Sequence, residues 1–341
     1  MGERRLLTGS KAMAEAVSLE MKRDENVFLL GEDIGMFGGI FGATPGLFQE
    51  FGPERVIDTP ISETAIVGAA VGAAAEGMRP IAELMFVDFI GVCMDQISNQ
   101  MAKIQYMSGG NVKLPMVLKA SVGGGISDAA QHSQTHYGTF AHIPGLKVVA
   151  PSTPHDLKGM MISAIREDNP VVFLYHKLLQ GVAGFKQIPA NIGHVPEESY
   201  TVPLDKAKVV REGKDVTIVG IQMTMHYALE AAEKLAAQGI DAEVIDLRSI
   251  APIDKDTIIE SVRKTHRLVV VDEDYLTCGL TAEIAALVVE EAFYDLADPV
   301  RRIAIRDVPI PFSRSLEDFI LPGPEDIYTE VMDMMNAKVL K

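Results

Sequence analysis

The chain has 341 residues, too many for one ordinary domain and enough for two of about 150 residues, each with its own core. Its 47 acidic and 31 basic residues give a formal charge of −16, which repels phosphate backbones and argues against a nucleic-acid partner. Two cysteines, Cys93 and Cys278, both in apolar stretches, form no CxxC zinc pattern and no disulfide framework, so a reducing, cytoplasmic compartment is expected.

The first residues, Met1-Gly-Glu-Arg-Arg5, lack the apolar stretch of a signal peptide, and nowhere do 18 consecutive apolar residues occur. A soluble protein with no membrane partner is expected. Helical patterns and short apolar runs then alternate. A helix near 10–22 precedes a strand at 27–30, one near 62–77 precedes a strand at 80–84, and one near 91–107 precedes 115–120. Strands at 146–150 and 171–175 flank a helix near 154–166. This alternation predicts a parallel sheet covered on both faces.

Between about 181 and 207 the pattern lapses into Gly, Pro, Asn and Glu without a period, which reads as an interdomain linker. Beyond it, 215–221, 242–246 and 267–272 read as parallel strands, with helices near 224–238, 254–264 and 280–293. The expected fold class is α/β with two doubly wound domains, 1–185 and 208–341, joined by a linker at 186–207.

The helix near 62–77 opens at Ser62, a residue suited to N-capping, and carries almost only small residues around its circumference. Such a helix must be buried on nearly every side. Gly68, Ala69, Gly72 and Ala73 let another backbone approach closely, at a cost of about 1 kcal/mol per glycine in helix propensity. A central helix within one domain and a subunit interface of packed small-residue helices both satisfy the pattern.

Three of the eight histidines, His132, His136 and His142, crowd together shortly after Gly123-Gly-Gly125. His132 and His136 have the i, i+4 spacing of a helical zinc site. No glutamate lies between them, however, and Gly138 and Pro144 interrupt helix, so metal is disfavoured. A polar turn between strands would explain one histidine taken alone. An imidazole on a glycine-flanked loop near strand ends, where open α/β sheets bind ligands, fits catalysis.

Glu63 is the only charge from Thr59 to Ala75 and sits in the first turn of the small-residue helix. A cap or helix-dipole role is the plain reading. In a dry setting the protonated form would be favoured, and such a carboxyl can share its proton with a ring nitrogen of a heterocyclic cofactor. Phe86 reads as core; Phe89, three residues further into the loop, could stack on a flat ring. There is no GxGxxG after a strand, no GxxxxGK[ST] loop, and no Gly-Asp-Gly with a following Asn to tie magnesium to a diphosphate.

The motifs stand in a fixed order: Gly31-Glu-Asp33, Asp58-Thr-Pro-Ile-Ser-Glu63, Arg79-Pro80, Asp95-Gln-Ile97, Gln131-His-Ser-Gln134, Pro144-Gly-Leu-Lys-Val-Val149 and Asp168-Asn-Pro170. In that order and spacing, from about residue 6 to 335, the chain resembles the beta subunit of the thiamin-diphosphate-dependent decarboxylating component of 2-oxo-acid and acetoin dehydrogenase complexes. The resemblance implies a transketolase-like pyrimidine-binding domain followed by a transketolase C-terminal domain. It also implies thiamin diphosphate shared with an alpha subunit in an α2β2 heterotetramer, with magnesium and the diphosphate held mainly by alpha. A lipoyl-bearing acyltransferase core would be a further partner, and the acidic balance here would attract a basic surface on it.

By the same resemblance, Glu63 would hydrogen-bond the pyrimidine ring of the cofactor, Phe89 would stack on it and Ile61 would line its pocket. His132 would stand over the thiazolium, position the small-molecule substrate and transfer a proton as the two-carbon unit passes to a lipoyl arm. His136 and His142 do not match that role. Within 162–169 a potassium ion would be held by backbone carbonyls, at Ile165, Glu167 and Asn169.

The stretches 83–91 and Tyr175-His-Lys-Leu-Leu179 look closer to acetoin dehydrogenase chains than to pyruvate dehydrogenase ones, where the latter place reads Glu-Asn-Glu-Leu. Cleavage of acetoin is therefore the expected activity, with pyruvate or a branched 2-oxo acid as the alternative. A self-contained transketolase-type enzyme, which would need the diphosphate motif, and a non-catalytic scaffold subunit are the remaining readings.

Overall fold

The computed structural model describes residues 5–182 and 186–336. Its strands are β1 (Leu6–Thr8), β2 (Val27–Gly31), β3 (Val56–Asp58), β4 (Arg79–Leu84), β5 (Val117–Val122), β6 (Lys147–Val149) and β7 (Val171–His176), then β8 (Ile192–His194), β9 (Lys208–Arg211), β10 (Val216–Gly220), β11 (Ala242–Asp246), β12 (Ser249–Ala251), β13 (Leu268–Tyr275) and β14 (Arg301–Ile305).

The first sheet runs β12-β6-β7-β5-β4-β2-β3, and every neighbouring pair from β6 to β3 is parallel. Strands β2, β5 and β7 are buried along their whole length, as apolar runs covered by helices on both faces must be. Leu29, Ile81, Val117 and Phe173 face the helices Gly9–Arg23 and Pro154–Arg166. Leu30, Ala82, Leu118 and Leu174 face the helix Glu63–Ala75 and the irregular helical stretch from Ile90 to Met107. The helix Pro154–Arg166 starts where its cap dictates: Thr153 accepts the Asp156 amide at 3.1 Å and proline occupies the first turn.

The expected helix at 91–107 is three pieces, an α-helix Ile90–Asp95, a π-helical segment Gln96–Met101 and a last turn Ile104–Met107. The small-residue helix is also less enclosed than its composition suggests. Ile66, Val67, Ala70, Val71 and Ala74 are buried, whereas Ala65, Ala69, Gly72 and Ala75 form an exposed strip. Ser62 precedes it without making a capping hydrogen bond.

The second sheet runs β14-β13-β10-β11-β9, parallel except for β9. On one face Ile218, Val244 and Val269 pack on the helices Met223–Ala236 and Pro324–Asn336. On the other, Val219, Ile245 and Val270 join the helices Lys255–Thr265 and Leu280–Ala292 in a core continuous with that of the first sheet. Two further features tie the halves together. Strand β12, from the C-terminal half, adds antiparallel to β6. The segment expected as a linker at 186–207 is packed down: β8 pairs with β1, and Val195, Val202 and Leu204 are buried. Cys93 is buried, but Cys278, expected in apolar surroundings, is exposed. No helix among the described residues is long and apolar enough to cross a membrane.

One pair of charges lies inside the first sheet. Glu83 and Lys119 are in register on β4 and β5, 2.7 Å apart and 4% and 1% exposed, in ion-pair contact off the hydrogen-bonding direction. The Tyr175 hydroxyl donates to Glu83 at 3.0 Å. Removing one partner of such a pair leaves the other charge stranded, which costs more than replacing both. Lys119→Met is therefore expected to lower the unfolding free energy by about 3–5 kcal/mol, and Lys119→Met with Glu83→Leu to recover most of it. Urea denaturation of the three proteins measures both effects.

Candidate functional site

Parallel strands that end together bring their following loops to one edge, and in open α/β sheets that edge binds ligands. Here β2 leads into Glu32, β3 into Ile61 and Glu63, β4 into Phe86 and Phe89, β5 into the glycine triplet and His132, and β7 into Lys177. Residues scattered over half the chain thus share one rim.

Phe86, Phe89 and His132 form a cluster of three rings. The imidazole meets Phe86 edge-on at 4.7 Å and Phe89 at 5.5 Å, and the two phenyl rings are 5.7 Å apart. Phe86, expected as core, is half-buried and supports the histidine. His136 opens the helix Tyr137–Ala141 with φ 53°, so it does not share a helical turn with His132; His142 is exposed. Among the described residues no group of three or more His, Cys, Asp or Glu could hold a metal ion.

The loop carrying His132 has an unusual backbone. Ser127, Ala129 and His136 all have φ between 53° and 62°, a region costly for residues with a Cβ. Gly123 is obligatory: a Cβ there would lie 2.1 Å from the His176 ring. The loop is held from outside. Asp88 accepts from the Gln134 amide at 3.2 Å and its side chain at 2.8 Å. Glu317, wholly buried, accepts from the Gly125 amide at 2.8 Å and the Ser127 amide at 3.0 Å. Asp274 accepts from the Gly138 amide at 2.9 Å, and the Thr135 hydroxyl donates to the Glu273 carbonyl at 3.2 Å. The Lys177 ammonium donates to the His132 carbonyl.

Behind the loop, His176 Nδ1 accepts the Leu178 amide at 3.2 Å, which leaves the proton on Nε2 to bond Glu273 at 2.8 Å. Tyr137 donates to Gln222, and burial holds its hydroxyl well above the usual tyrosine range. Burial pushes Lys177 down, with Asp128 as the main opposing charge.

Glu63 begins its helix half-buried, not in the dry setting expected, and its carboxylate accepts no hydrogen bond from any described residue. Its charge reaches two neighbours. Burial, Asp33 and Glu63 together raise Glu32, and burial with Glu63 pushes the Cys93 thiol up to about 11. Cys93 lies on the turn after Phe89, and Thr64, beside Glu63, donates to the Val92 carbonyl at 2.7 Å. The first turn of the Glu63 helix therefore packs on the turn that follows Phe89. Ile61, just before it, is 75% exposed.

The segment 162–169 lies away from this rim, at the end of the helix Pro154–Arg166. The carbonyls of Ile165 and Glu167 converge on the Arg79 guanidinium at 2.9 and 3.1 Å. The Glu167 carboxylate accepts from Lys147 and, at 2.6 Å, from the Asn169 side chain. Oxygen-rich helix ends attract cations, and here side-chain cations are present.

Sequence reasoning missed Lys177, Glu273 and Glu317. The histidine and lysine of 175–179 stood out only for their departure from a pattern, and nothing local marks Glu317 as the partner of a loop 192 positions earlier.

Two doubly wound domains with a site on the first sheet's rim define a transketolase-like arrangement. Residues 6–181 match the transketolase pyrimidine-binding domain and residues 205–327 the transketolase C-terminal domain. The beta subunit of acetoin:2,6-dichlorophenolindophenol oxidoreductase from Cupriavidus necator is 49% identical, over 95% of this chain and 96% of that protein. The pyruvate dehydrogenase E1 component subunit beta of Rickettsia felis is 45% identical, over 95% and 97%. A split-gene transketolase solved as an inactive beta4 tetramer shares the fold, with a TM-score of 0.77 at 24% identity over 97% of this chain and 99% of that one. The chain belongs to the family of dehydrogenase beta subunits built from these two transketolase domains.

Glu317→Ala would leave the buried Gly125 amide and the half-buried Ser127 amide of the histidine loop without their acceptor. It is expected to lower the unfolding free energy by about 3 kcal/mol, and Glu317→Gln, which keeps an acceptor, by about 1 kcal/mol. Urea denaturation separates the two.

Proposed function

We propose that this chain is the beta subunit of a thiamin-diphosphate-dependent acetoin dehydrogenase component, working with an alpha subunit in an α2β2 heterotetramer and passing a two-carbon unit to the lipoyl group of an acyltransferase core. The observation that carries the reading is the free Glu63 carboxylate at the sheet rim that also carries the cluster of Phe86, Phe89 and His132.

The donor set suits the pyrimidine end of the cofactor. That end needs one carboxyl group for a ring nitrogen and apolar walls for its faces, and Glu63, Phe89 and Ile61 are of those kinds. The sequence has no diphosphate clamp of its own, which supports assigning magnesium and the diphosphate mainly to the alpha subunit. When bound, thiamin diphosphate supplies a carbon nucleophile for the substrate carbonyl. Glu63 would hold and share a proton at the ring nitrogen, a role open to it because no other residue claims its oxygens. Phe89 and Ile61 would exclude water. His132, fixed by two phenyl rings and a held backbone, would orient the substrate and move a proton to or from its oxygen.

The similarity to an acetoin oxidoreductase subunit supports acetoin as the substrate. The second reading is pyruvate, favoured by the similarity to a pyruvate dehydrogenase subunit; a branched 2-oxo acid follows the same chemistry. A potassium ion at the Ile165, Glu167 and Asn169 carbonyls belongs to this reading, since each carbonyl engaged by Arg79 keeps a second lone pair.

Purification with the alpha chain, followed by assay of acetoin, pyruvate and branched 2-oxo acids with thiamin diphosphate and a dye acceptor, tests partner and substrate together. Glu63→Gln is expected to lower turnover about 100-fold or more with the tetramer intact, and His132→Ala to lower lipoyl acylation about 100-fold. A scaffold subunit would tolerate both. The unfolding temperature of the complex should be higher in potassium than in sodium chloride at equal ionic strength; equal values would remove the potassium site from the reading.

A further inference from the structure

Lys177 directly follows β7 and turns its side chain under the histidine loop. The side chain is 1% exposed; its ammonium donates to the His132 carbonyl, lies 3.2 Å from Asp128 Oδ2, and sits 5.2 Å from the centre of the Phe86 ring. That same ring meets the His132 imidazole edge-on at 4.7 Å. One buried cation therefore touches both the backbone that carries the imidazole and the ring on which it rests.

Packing alone does not call for a lysine here. An uncharged side chain such as methionine would fill similar space without the cost of removing an ammonium from water. That cost is offset by three groups arranged around Nζ: a carboxylate, a carbonyl and an aromatic face. Asp88, in the turn after β4, and Glu273 on β13 also attract the charge, but each is bonded elsewhere, to Gln134 and His176. The charge thus acts on the segment from Asp128 to His132, which includes Ala129 at φ 61° and directly follows Ser127 at φ 62°, conformations that need an external hold.

We infer that Lys177 is a positioning residue for His132, fixing its carbonyl and its phenyl support so that the imidazole keeps one direction at the sheet rim. The inference rests on the catalytic reading of His132 and adds to it a residue that reading does not contain. Lys177 itself touches neither substrate nor cofactor. Its effect on the reaction passes through His132.

The test uses the assembled alpha–beta complex and a cycle of K177M, H132A and K177M/H132A, assayed for lipoyl acylation with whichever substrate the wild type turns over. K177M is expected to lower kcat about 30-fold, with roughly threefold change or less in the KM of the lipoyl acceptor, and to lower kcat by no more than about twofold when residue 132 is already alanine. In the cofactor-free complex, amide exchange across 128–136 should rise about tenfold in K177M while β5 and β7 keep their protection. Equal kcat losses in both His132 backgrounds, or unchanged exchange, would overturn the inference. If K177M does not assemble, D128N, at a side chain 30% exposed, carries the same cycle with an expected loss of about threefold. Wild-type turnover with the dye is read separately: its absence would overturn the proposed function, and the exchange measurement would then decide on Lys177 alone.

Discussion

The site depends on a loop that cannot hold its own shape. Three residues with a Cβ in left-handed conformations would cost about 1–3 kcal/mol each if nothing compensated them. Compensation comes from groups elsewhere in the chain: Asp88 after β4, Lys177 after β7, and Glu273, Asp274 and Glu317 from the C-terminal half. Three of the five lie in the second domain. The conformation of a loop in the first domain is therefore a property of both, and a change that loosened the domain contact would be felt first at His132.

That dependence gives a reason for the other devices that bind the halves. Strand β12 completes the first sheet from the second domain, the 186–207 segment is packed against the N-terminal half, and the apolar core runs through both sheets without a break. Independent domains joined by a loose linker would leave the loop's acceptors free to drift. Ser152 marks the junction chemically: its hydroxyl donates to Asp246 at 2.6 Å and accepts the Gln222 amide at 2.9 Å, so one small side chain of the first domain satisfies two elements of the second. Burial there raises the Asp246 carboxyl to about 7, so below that pH a hydrogen-bonded neutral group sits where a charge would be costly.

What the sequence disclosed was what is local. The central strands are mostly apolar stretches of five to eight residues and were legible as such; β1, β3, β8 and β12 have three residues each, too few to show a period, and exist because a neighbour pairs with them. The helix Pro154–Arg166 was legible because Thr153 and Pro154 announce it. Glu63 was legible as a lone charge, and His132 by its place after a glycine triplet. Their surroundings were not. Desolvation of Glu63 was inferred from apolar neighbours in sequence, but those neighbours point partly outward, and the same error placed Cys278 in an apolar setting. Glu317 and Lys177 act across folds of the chain that no window of residues reveals.

The two sides of the rim differ in a way that bears on what completes the site. Around His132 the loop backbone is held by groups of this chain, with the buried Ser133 hydroxyl left without a partner among the described residues, so that side is largely built within the chain. Around Glu63 it is not: the carboxylate is half-buried and unbonded, Ile61 is largely exposed, and Ala65, Ala69, Gly72 and Ala75 form an open strip of small side chains. While water reaches Glu63 its lack of a partner costs little. A second surface laid over that strip without a donor for the carboxylate would cost about 1–3 kcal/mol or more, and small residues would let it come close. Whatever covers this side must therefore share a proton with Glu63, either by donating to its carboxylate or by accepting the proton of its neutral carboxyl.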